Sequence, residues 1–227
     1  ICEDIWQDSG PVAELAAEHI DVLLTINGSP YEEGKTQTRL DLARRRAAEV
    51  HAPMIYVNQV GGQDDLAFDG GTFVVDTDGT LLQRSPMFME DLAYFTLDTD
   101  RDRQEACDVA PRMDPDEEVY TACVLGLKDY MAKNGFTGVC LGLSGGIDSA
   151  LTAGIIRDFT DADLHTFSLR FADREYDEGD HQDLMVQRLG TTHRDIVVTH
   201  REIGEVFPDV VRHAETPLLR TAPAPMF

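Results

Sequence analysis

The chain is poor in basic residues and contains no long hydrophobic segment. Its 19 lysines and arginines stand against 42 aspartates and glutamates, which gives a formal net charge of −23 at pH 7. This charge disfavours nucleic-acid backbones and anionic membranes as partners, because both repel an acidic surface. No apolar run approaches the roughly 18 residues of a transmembrane helix, and no signal peptide opens the sequence. We therefore expect a cytoplasmic protein that binds neither nucleic acid nor membrane.

Cysteine is scarce and shows no metal-binding pattern. The four cysteines are Cys2, Cys107, Cys123 and Cys140, and they form no C-x-x-C pair. No histidine lies at the spacing of a zinc site from any of them, and the seven histidines show no ligand spacing of their own. The sequence therefore predicts reduced cysteines and no structural zinc site.

Both ends of the sequence are typical of an internal segment. The chain starts with Ile1 rather than methionine, on residues typical of a strand end, and it stops at Phe227 without a helix stop or a polar tail. We therefore expect a fragment of a longer protein. Its 227 residues still suffice for one large or two modest domains.

Strands and helices are predicted to alternate along the chain. The predicted strands are 21–26, 54–58, 70–76, 80–82, 164–171 and 192–198, and the predicted helices are 35–51, 115–134 and 179–189. Asp78-Gly79 between two of these strands indicates a hairpin. A charged stretch with few apolar residues predicts a linker at 101–114, between domains at 1–100 and 115–227. The alternation in the second domain predicts a parallel sheet.

A glycine-rich segment carries the clearest chemical signal. Residues 142–149 read Gly-Leu-Ser-Gly-Gly-Ile-Asp-Ser and lie between an apolar strand and the start of a helix. Adjacent glycines allow a tight turn with exposed N–H groups, and the hydroxyls of Ser144 and Ser149 add to an anion site at the helix N-terminus. Asp148 would hold magnesium against the bound phosphates. A plain glycine turn is the alternative. No Gly-Lys-Ser/Thr follows, so the segment is not a Walker A loop.

This segment resembles the Ser-Gly-Gly-x-Asp-Ser loop of the ATP pyrophosphatase superfamily, whose members convert ATP to AMP and pyrophosphate while adenylylating a substrate. The resemblance implies ATP and Mg²⁺ as the cofactors. The implied ATP-binding residues of the loop are Gly142, Leu143, Ser144, Gly145, Gly146, Ile147, Asp148 and Ser149, with Asp148 also the metal ligand.

Residues 1–153 resemble glutamine-dependent NAD synthetases, first through a nitrilase-like glutaminase domain. The likeness starts with Ile-Cys-Glu-Asp-Ile-Trp at 1–6 and is strongest at Tyr-Val-Asn-Gln-Val-Gly-Gly-Gln-Asp, residues 56–64. It continues through Phe-Asp-Gly-Gly-Thr-Phe at 68–73 and across the linker to the glycine-rich loop. Several long motifs in the family's order make this resemblance specific.

The resemblance implies that Cys2 is the nucleophile that attacks the glutamine side-chain amide, forming a thioester and releasing ammonia. It also implies that Glu3, Ser29 and Lys35 hold the glutamine. The family's general-base glutamate and its lysine lie upstream of the nucleophile and have no counterpart in this sequence. A buried cysteine at a strand end is the alternative reading of Cys2.

Residues 154–227 resemble instead the synthetase domain of glutamine-dependent asparagine synthetases, through segments such as His-Thr-Phe-Ser-Leu-Arg-Phe at 165–171. This resemblance implies that Leu169 lies against adenine. Asp177 and Glu178 are candidates for contact with a second magnesium or with the ATP phosphates. The alternative is that they are ordinary solvated residues at the start of a helix. The sequence therefore looks like a hybrid, and a natural recombination, an assembly error, an engineered fusion and a single divergent NAD synthetase all stay open.

Together the resemblances imply an α/β chain: a partial nitrilase-like α-β-β-α sandwich followed by a partial doubly wound, Rossmann-like ATP pyrophosphatase domain. The implied reaction is the amidation of nicotinic acid adenine dinucleotide through an acyl-adenylate, with ammonia from glutamine. An asparagine synthetase acting on aspartate and an inactive chain that only binds nucleotide are the alternatives. The expected partners are these small molecules. A homo-oligomer stays open, since half a sandwich exposes a sheet edge that invites aggregation or pairing with another copy.

Overall fold

The computed structural model describes residues 2–98, 104–171 and 178–214. The chain divides into two compact units, Ile1–Asn134 and Gly135–Phe227. Both units combine helices with β-sheet, so the predicted α/β class is confirmed. No helix within the described ranges is both long and apolar enough to cross a membrane.

The first unit contains two small sheets. Its elements in chain order are a 3-10 helix at Cys2–Trp6, α1 at Pro11–Leu15, β1 at Leu23–Asn27, α2 at Lys35–Val50, β2 at Met54–Asn58, β3 at Val60–Gln63, β4 at Leu66–Asp69, β5 at Phe73–Val75, β6 at Leu81–Arg84 and α3 at Pro115–Asn134. One sheet has the order β1-β2-β5-β6, with β1 parallel to β2 and the other pairs antiparallel. β3 and β4 form a separate antiparallel hairpin.

The core of the first unit includes residues of the four-stranded sheet and of α2. Ala43 and Ala47 of α2 are fully buried because residues four apart share one face of a helix. They belong to the same buried cluster as Met54 and Tyr56 of β2. Tyr56 stacks on Phe73 of the neighbouring strand with ring centroids 4.8 Å apart. The helix therefore covers one face of this sheet.

The opposite face of the sheet is open along β1. Leu24 and Ile26 alternate with buried residues and are 62% and 74% exposed, and Val57 on the neighbouring strand is 41% exposed. Within the described ranges β1 pairs only with β2, so its other edge carries unpaired backbone groups. This is the exposed sheet edge that a partial sandwich predicts.

The predicted hairpin around Asp78-Gly79 is confirmed as the β5–β6 pair. The Asp76 N–H donates to the Thr80 carbonyl at 2.9 Å, and Gly79 takes a φ of 84° that most side chains avoid. The strand predicted over 70–76 is shorter than expected, because residues 70–72 leave the ladder and β5 begins at Phe73.

The second unit is built on a three-stranded parallel sheet. Its elements are β7 at Gly138–Gly142, α4 at Ile147–Phe159, β8 at Asp163–Phe171, α5 at Gly179–Leu189, β9 at Thr192–Val198 and α6 at His200–Ala214. The strand order is β7-β8-β9 with both pairs parallel, as the alternation of strands and helices predicts. α5 ends at Gly190, which takes the left-handed conformation typical of a helix C-terminus.

The sequence predicts the end of a strand at the beginning of the chain. This prediction is wrong from Cys2 onward, where a 3-10 helix forms instead. Arg46 of α2 stabilises this turn, since its guanidinium donates to the carbonyls of Ile5 at 2.7 Å and Gln7 at 2.6 Å. Ile1 lies outside the described residues.

α3 packs against β3 and β4, so it belongs to the first unit. The described linker residues, 104–114, belong to the same unit, whereas 101–103 lie outside the described ranges. The sequence analysis assigns residues 115–134 to the ATP pyrophosphatase domain, and this assignment stays a prediction.

Candidate functional site

The glycine-rich loop occupies the predicted position between a strand and a helix. It leaves the carboxyl end of β7 at Gly142 and enters α4 at Ile147. Asp148 lies in the first turn of α4 and is exposed. The N–H groups at this helix end carry partial positive charge and therefore stabilise an anion. The loop lies at this helix end and is open to solvent there.

Leu143 anchors the loop to the neighbouring strand β8. Its N–H donates to the Phe167 carbonyl at 2.7 Å, and its own carbonyl accepts from the Ser168 hydroxyl at 2.9 Å. The Leu143 side chain is 1% exposed. Its assignment to ATP binding stays a prediction, and its observed contacts fix the base of the loop.

Ser144 and Ser149 join the two ends of the turn. The Ser144 N–H donates to the Ser149 hydroxyl at 3.2 Å, and the two hydroxyl oxygens lie 3.1 Å apart. The Gly146 N–H donates to the Ser144 hydroxyl at 3.3 Å. The loop thus holds two hydroxyls and a helix N-terminus together, which is the donor set that a phosphate group requires.

Gly145 requires glycine for two reasons. Its φ is 83°, in the left-handed region. A Cβ at this position would also lie 3.0 Å from Cβ of Glu178 and 3.1 Å from its Oε2. The carboxylate of Glu178 therefore lies beside the loop, and its contact with a second magnesium or with the ATP phosphates stays a prediction. Asp177 lies outside the described residues.

Leu169 lies near the same edge of the sheet. Gly142 at the end of β7 pairs with Phe167, so Leu169 is two residues further along β8 and is half-buried. Its predicted contact with adenine stays a prediction. The described part of the chain contains no group of three potential metal-ligating His, Cys, Asp or Glu residues.

The residues implied in glutamine binding lie in the first unit. Cys2 is half-buried in the 3-10 helix and Glu3 is exposed beside it. Lys35 is the first residue of α2 and forms an ion pair with Glu32 at 3.2 Å. Within the described ranges, no hydrogen bond or ion pair connects Glu3 or Lys35 to Cys2, so their roles stay predictions.

Ser29, by contrast, lies in a buried polar network around Arg39. The Arg39 guanidinium donates to the Ser29 hydroxyl at 3.1 Å and to the carbonyls of Ser29 at 2.9 Å and Pro30 at 2.7 Å. It also pairs with Asp69 at 2.5 Å, and both charged side chains are at most 3% exposed. A buried charge is tolerated only when it is paired and fully hydrogen-bonded, and this arrangement satisfies both conditions.

Asn58 completes the network at the junction of β2 and β3. Its side-chain oxygen accepts from the Ser29 N–H at 3.0 Å, and its amide nitrogen donates to the Ser29 carbonyl and to Asp69, both at 3.2 Å. Both backbone groups of Ser29 are therefore fixed by side chains. Sequence reasoning assigned no role to Arg39, Asn58 or Asp69, although two of them lie in motifs that carry the resemblance.

Tyr56 also faces this region. Its hydroxyl is buried and has no partner with acceptable hydrogen-bond geometry in the described part of the chain. Burial raises the pKa of Tyr56, while Arg39 and the nearby Ser29 hydroxyl act to lower it and Cys2 acts to raise it. The Tyr56 hydroxyl therefore lies within electrostatic reach of both Cys2 and Ser29.

Two protein families match this chain in succession. The carbon-nitrogen hydrolase family matches residues 1–104, and the asparagine synthase family matches residues 132–227. The first match agrees with the nitrilase-like first half. The second agrees with the resemblance seen in residues 154–227.

Curated relatives connect the two parts. The glutamine-dependent NAD(+) synthetases of Acinetobacter baylyi and Rhodobacter capsulatus are 43% identical over 163 residues and 45% identical over 161 residues, covering 72% and 70% of this chain. The chain is a homologue of glutamine-dependent NAD synthetases. It spans only 30% and 29% of the length of these two relatives.

Solved structures of NAD synthetases agree with this homology. The enzyme of Acinetobacter baumannii, solved with adenosine diphosphate, is 34% identical and superposes with a TM-score of 0.78 over 96% of this chain and 41% of its own. The enzyme of Cytophaga hutchinsonii, 21% identical, superposes with a TM-score of 0.62 over 87% of this chain and 41% of its own, and shows the shared fold. The predicted fold, a partial nitrilase-like domain followed by a partial ATP pyrophosphatase domain, is thus confirmed.

Proposed function

We propose that this chain is a segment of a glutamine-dependent NAD synthetase, a carbon-nitrogen ligase that uses ATP to amidate nicotinic acid adenine dinucleotide with ammonia from glutamine. The glycine-rich loop carries this proposal, because it stands between β7 and α4 with two hydroxyls and a helix N-terminus at one exposed edge. The homologous A. baumannii enzyme, whose structure contains adenosine diphosphate, supports nucleotide binding by this chain.

In this proposal residues 142–149 bind the phosphates of ATP. The N–H groups of the loop and the hydroxyls of Ser144 and Ser149 stabilise the departing pyrophosphate, and Leu169 lies against adenine. Asp148 holds Mg²⁺, which neutralises phosphate charge when bound. The donor set fits such an ion, because magnesium is usually held by one or two carboxylates together with substrate phosphates. Glu178, beside Gly145, is the second carboxylate within reach of the loop.

The proposed glutamine site consists of Cys2, Glu3, Ser29 and Lys35. Cys2 supplies the thiol that attacks the side-chain amide, and the other three hold the substrate. The buried network around Arg39 supports this proposal, because it fixes the position of Ser29. We expect turnover to require the upstream glutamate and lysine that this sequence does not contain.

Two further parts of the proposal concern the compartment and the domains. The proposed compartment is the cytoplasm. The proposed linker between the glutaminase domain and the ATP pyrophosphatase domain is residues 101–114.

The experiment that tests the ATP site is a calorimetric titration of the folded chain with Mg-ATP. We expect saturable binding that is lost in Asp148→Ala. Asp161→Ala, at an exposed carboxylate that precedes β8, serves as the control and should bind as the unaltered chain does. No binding by a demonstrably folded chain would contradict the proposal and favour a chain without nucleotide affinity.

An asparagine-synthetase-type activity is the second candidate, because the asparagine synthase family matches residues 132–227. The acyl substrate would then be aspartate. Pyrophosphate exchange into ATP distinguishes the candidates: stimulation by aspartate favours the second, and stimulation by nicotinic acid adenine dinucleotide favours the first. Nucleotide binding without either response corresponds to an inactive chain.

A further inference from the structure

The peptide group between Leu143 and Ser144 has its two polar ends bound on opposite sides. The Leu143 carbonyl accepts from the Ser168 hydroxyl at 2.9 Å, and the Ser144 N–H donates to the Ser149 hydroxyl at 3.2 Å. The C=O and N–H of a planar trans peptide point in opposite directions and can only turn together. A side chain that fixes this carbonyl therefore also fixes the direction of the N–H.

Ser168 holds this carbonyl from inside the second unit. It lies in β8, and both Ser168 and Leu143 are only 1% exposed, so water does not compete for their hydrogen bond. The Leu143 N–H donates to the Phe167 carbonyl at 2.7 Å. Two neighbouring residues of β8 therefore bind the start of the loop, Phe167 through its backbone and Ser168 through its side chain.

The direction of the Ser144 N–H decides what the Ser149 hydroxyl can do. The Ser149 oxygen accepts from this N–H, so its own hydrogen stays available to an acceptor. Within the loop that hydrogen has the Gly146 carbonyl at 3.3 Å, a long contact. A phosphate oxygen is the stronger acceptor, because hydrogen bonds to charged groups are shorter and stronger.

The same peptide would present the opposite charge if it turned over. The Leu143 carbonyl oxygen would then point into the turn, where its partial negative charge repels an anion. Loss of the Ser168 hydroxyl favours such a turn, because a buried carbonyl without a donor is costly and gains by reaching another one.

We propose that Ser168 is a positioning residue for phosphate binding by the loop at residues 142–149. Its hydroxyl keeps the Leu143 carbonyl away from the phosphates, and thereby keeps the Ser144 N–H and the Ser149 hydroxyl directed for binding them. Ser168 acts through the loop and not by contact with the nucleotide. The inference rests on the proposed ATP site and adds to it a residue from outside the loop.

The test compares the full 227-residue chain with Ser168→Ala. We expect the dissociation constant for Mg-ATP, measured by calorimetry, to rise about tenfold, as the loss of one good hydrogen bond implies. Inorganic pyrophosphate should lose affinity by the same factor, because the change acts at the phosphates. Ser168 precedes Leu169, the proposed adenine contact, so weaker binding of Mg-ATP alone would assign the effect to adenine and overturn the inference.

Thr166→Val is the matched control on the same strand. Thr166 lies two residues before Ser168 and therefore on the same face of β8, and it is fully buried. Its hydroxyl lies 2.7 Å from that of Thr191 and 2.8 Å from Nδ1 of His193, and not against the loop. Both substitutions should lower the urea concentration at half-unfolding, and only Ser168→Ala should weaken binding of the two ligands. Equal losses of affinity would assign the effect to general destabilisation and overturn the inference.

Ser168→Thr tests the hydroxyl itself, because threonine keeps the donor and suits a β-strand. We expect it to bind Mg-ATP and pyrophosphate as the unaltered chain does. Affinity as low as that of Ser168→Ala would contradict the proposed role, since the hydroxyl would then not be the group that matters.

The remaining outcomes separate the inference from the function on which it rests. Equal affinity of Ser168→Ala and the unaltered chain would overturn the role of Ser168 and leave the ATP site standing. No binding of Mg-ATP or pyrophosphate by the unaltered chain would contradict the proposed ATP site, and the inference would fall with it.

Discussion

Gly145 is the residue on which the shape of the ATP loop most directly depends. Its φ of 83° and its contact with Glu178 leave no room for a side chain. We expect Gly145→Ala to weaken Mg-ATP binding about tenfold, because the left-handed conformation costs roughly 1–2 kcal/mol for other residues. Calorimetry measures this. Gly154→Ala, in α4 and outside the loop, is the control, since a Cβ there meets nothing within 4 Å. Equal loss of Mg-ATP binding in both variants would show that the strain at Gly145 is not its cause.

Asp195 in β9 is the residue whose ion pairing predicts a pH dependence. Its carboxylate accepts from Arg170 at 2.9 Å and lies 3.2 Å from the His193 ring, and Arg170 also pairs with Asp183. Burial acts to raise the pKa of Asp195, but the bonds from Arg170 and His193 outweigh it and hold that pKa below its ordinary value. The resulting stability is therefore present above the unfolded-state pKa and is lost as the pH falls through the folded-state pKa.

We expect Asp195→Asn to lower the free energy of unfolding by up to about 1 kcal/mol at pH 7, the size of a solvent-screened ion pair. The difference from the unaltered chain should narrow at pH 3 and below, where the native carboxyl also becomes protonated. Urea unfolding followed by circular dichroism at both pH values measures it. Asp161→Asn should have no effect at either pH. A difference that persists undiminished in acid would assign the effect to shape rather than charge.

The element-level predictions succeeded where a strand or helix carries its own boundary signals. Asp78-Gly79 gives the β5–β6 turn, and Gly190 ends α5. The β3–β4 hairpin was missed because β3 contains two glycines and few apolar residues, so its stability comes from packing rather than from strand propensity. α6 was not predicted, and it contains Pro208, a residue type that usually breaks a helix.

The site was predicted only where its chemistry follows a local motif. The loop at 142–149 is contiguous, and therefore visible in the sequence. The Ser29 network joins residues that are far apart along the chain, so no local pattern shows it. One signal was available for α2: Arg39, Ala43, Arg46 and Val50 follow the spacing of one buried helix face. Both arginines are in fact at most 3% exposed, and they bind backbone carbonyls that precede the helix.

The contact between the β3–β4 hairpin and α3 is an element-level feature with a sharp steric test. The Gly62 N–H donates to Asp129 at 2.7 Å, and Lys133 donates to the Gly62 carbonyl. A Cβ on Gly62 would lie 2.9 Å from the Gly126 Cα, a backbone atom that cannot easily move. The hairpin therefore approaches the helix too closely for any side chain at residue 62.

We expect Gly62→Ala to lower the free energy of unfolding by about 1–3 kcal/mol, as overpacking does. Gly126→Ala is the matched variant on the helix. Its own Cβ meets nothing within 4 Å, so the better helix propensity of alanine should raise stability by up to about 1 kcal/mol. Urea unfolding monitored by the fluorescence of Trp6 in the same unit measures both. Similar effects of the two substitutions would contradict the close contact.

At the scale of the whole molecule, the net charge of −23 opposes association of two copies through the open apolar face of the first unit. Leu24, Ile26 and Val57 would favour pairing of two copies, while like charge keeps the copies apart at pH 7. Lowering the pH towards the isoelectric point near 4.4 removes this repulsion and leaves the apolar face exposed. Self-association should therefore rise between pH 7 and pH 5, and added salt at pH 7 should act in the same direction.

We expect Ile26→Thr to reduce this association, because threonine keeps the β-branched shape suited to a strand while removing apolar surface from the most exposed position of β1. Leu92→Thr, at a loop leucine that is 77% exposed, is the control and should associate as the unaltered chain does. Sedimentation velocity at pH 7 and pH 5 compares the three proteins. If Leu92→Thr and Ile26→Thr reduce association equally, total apolar exposure drives it. If only Ile26→Thr does, the open face along β1 is the surface where copies of this chain meet.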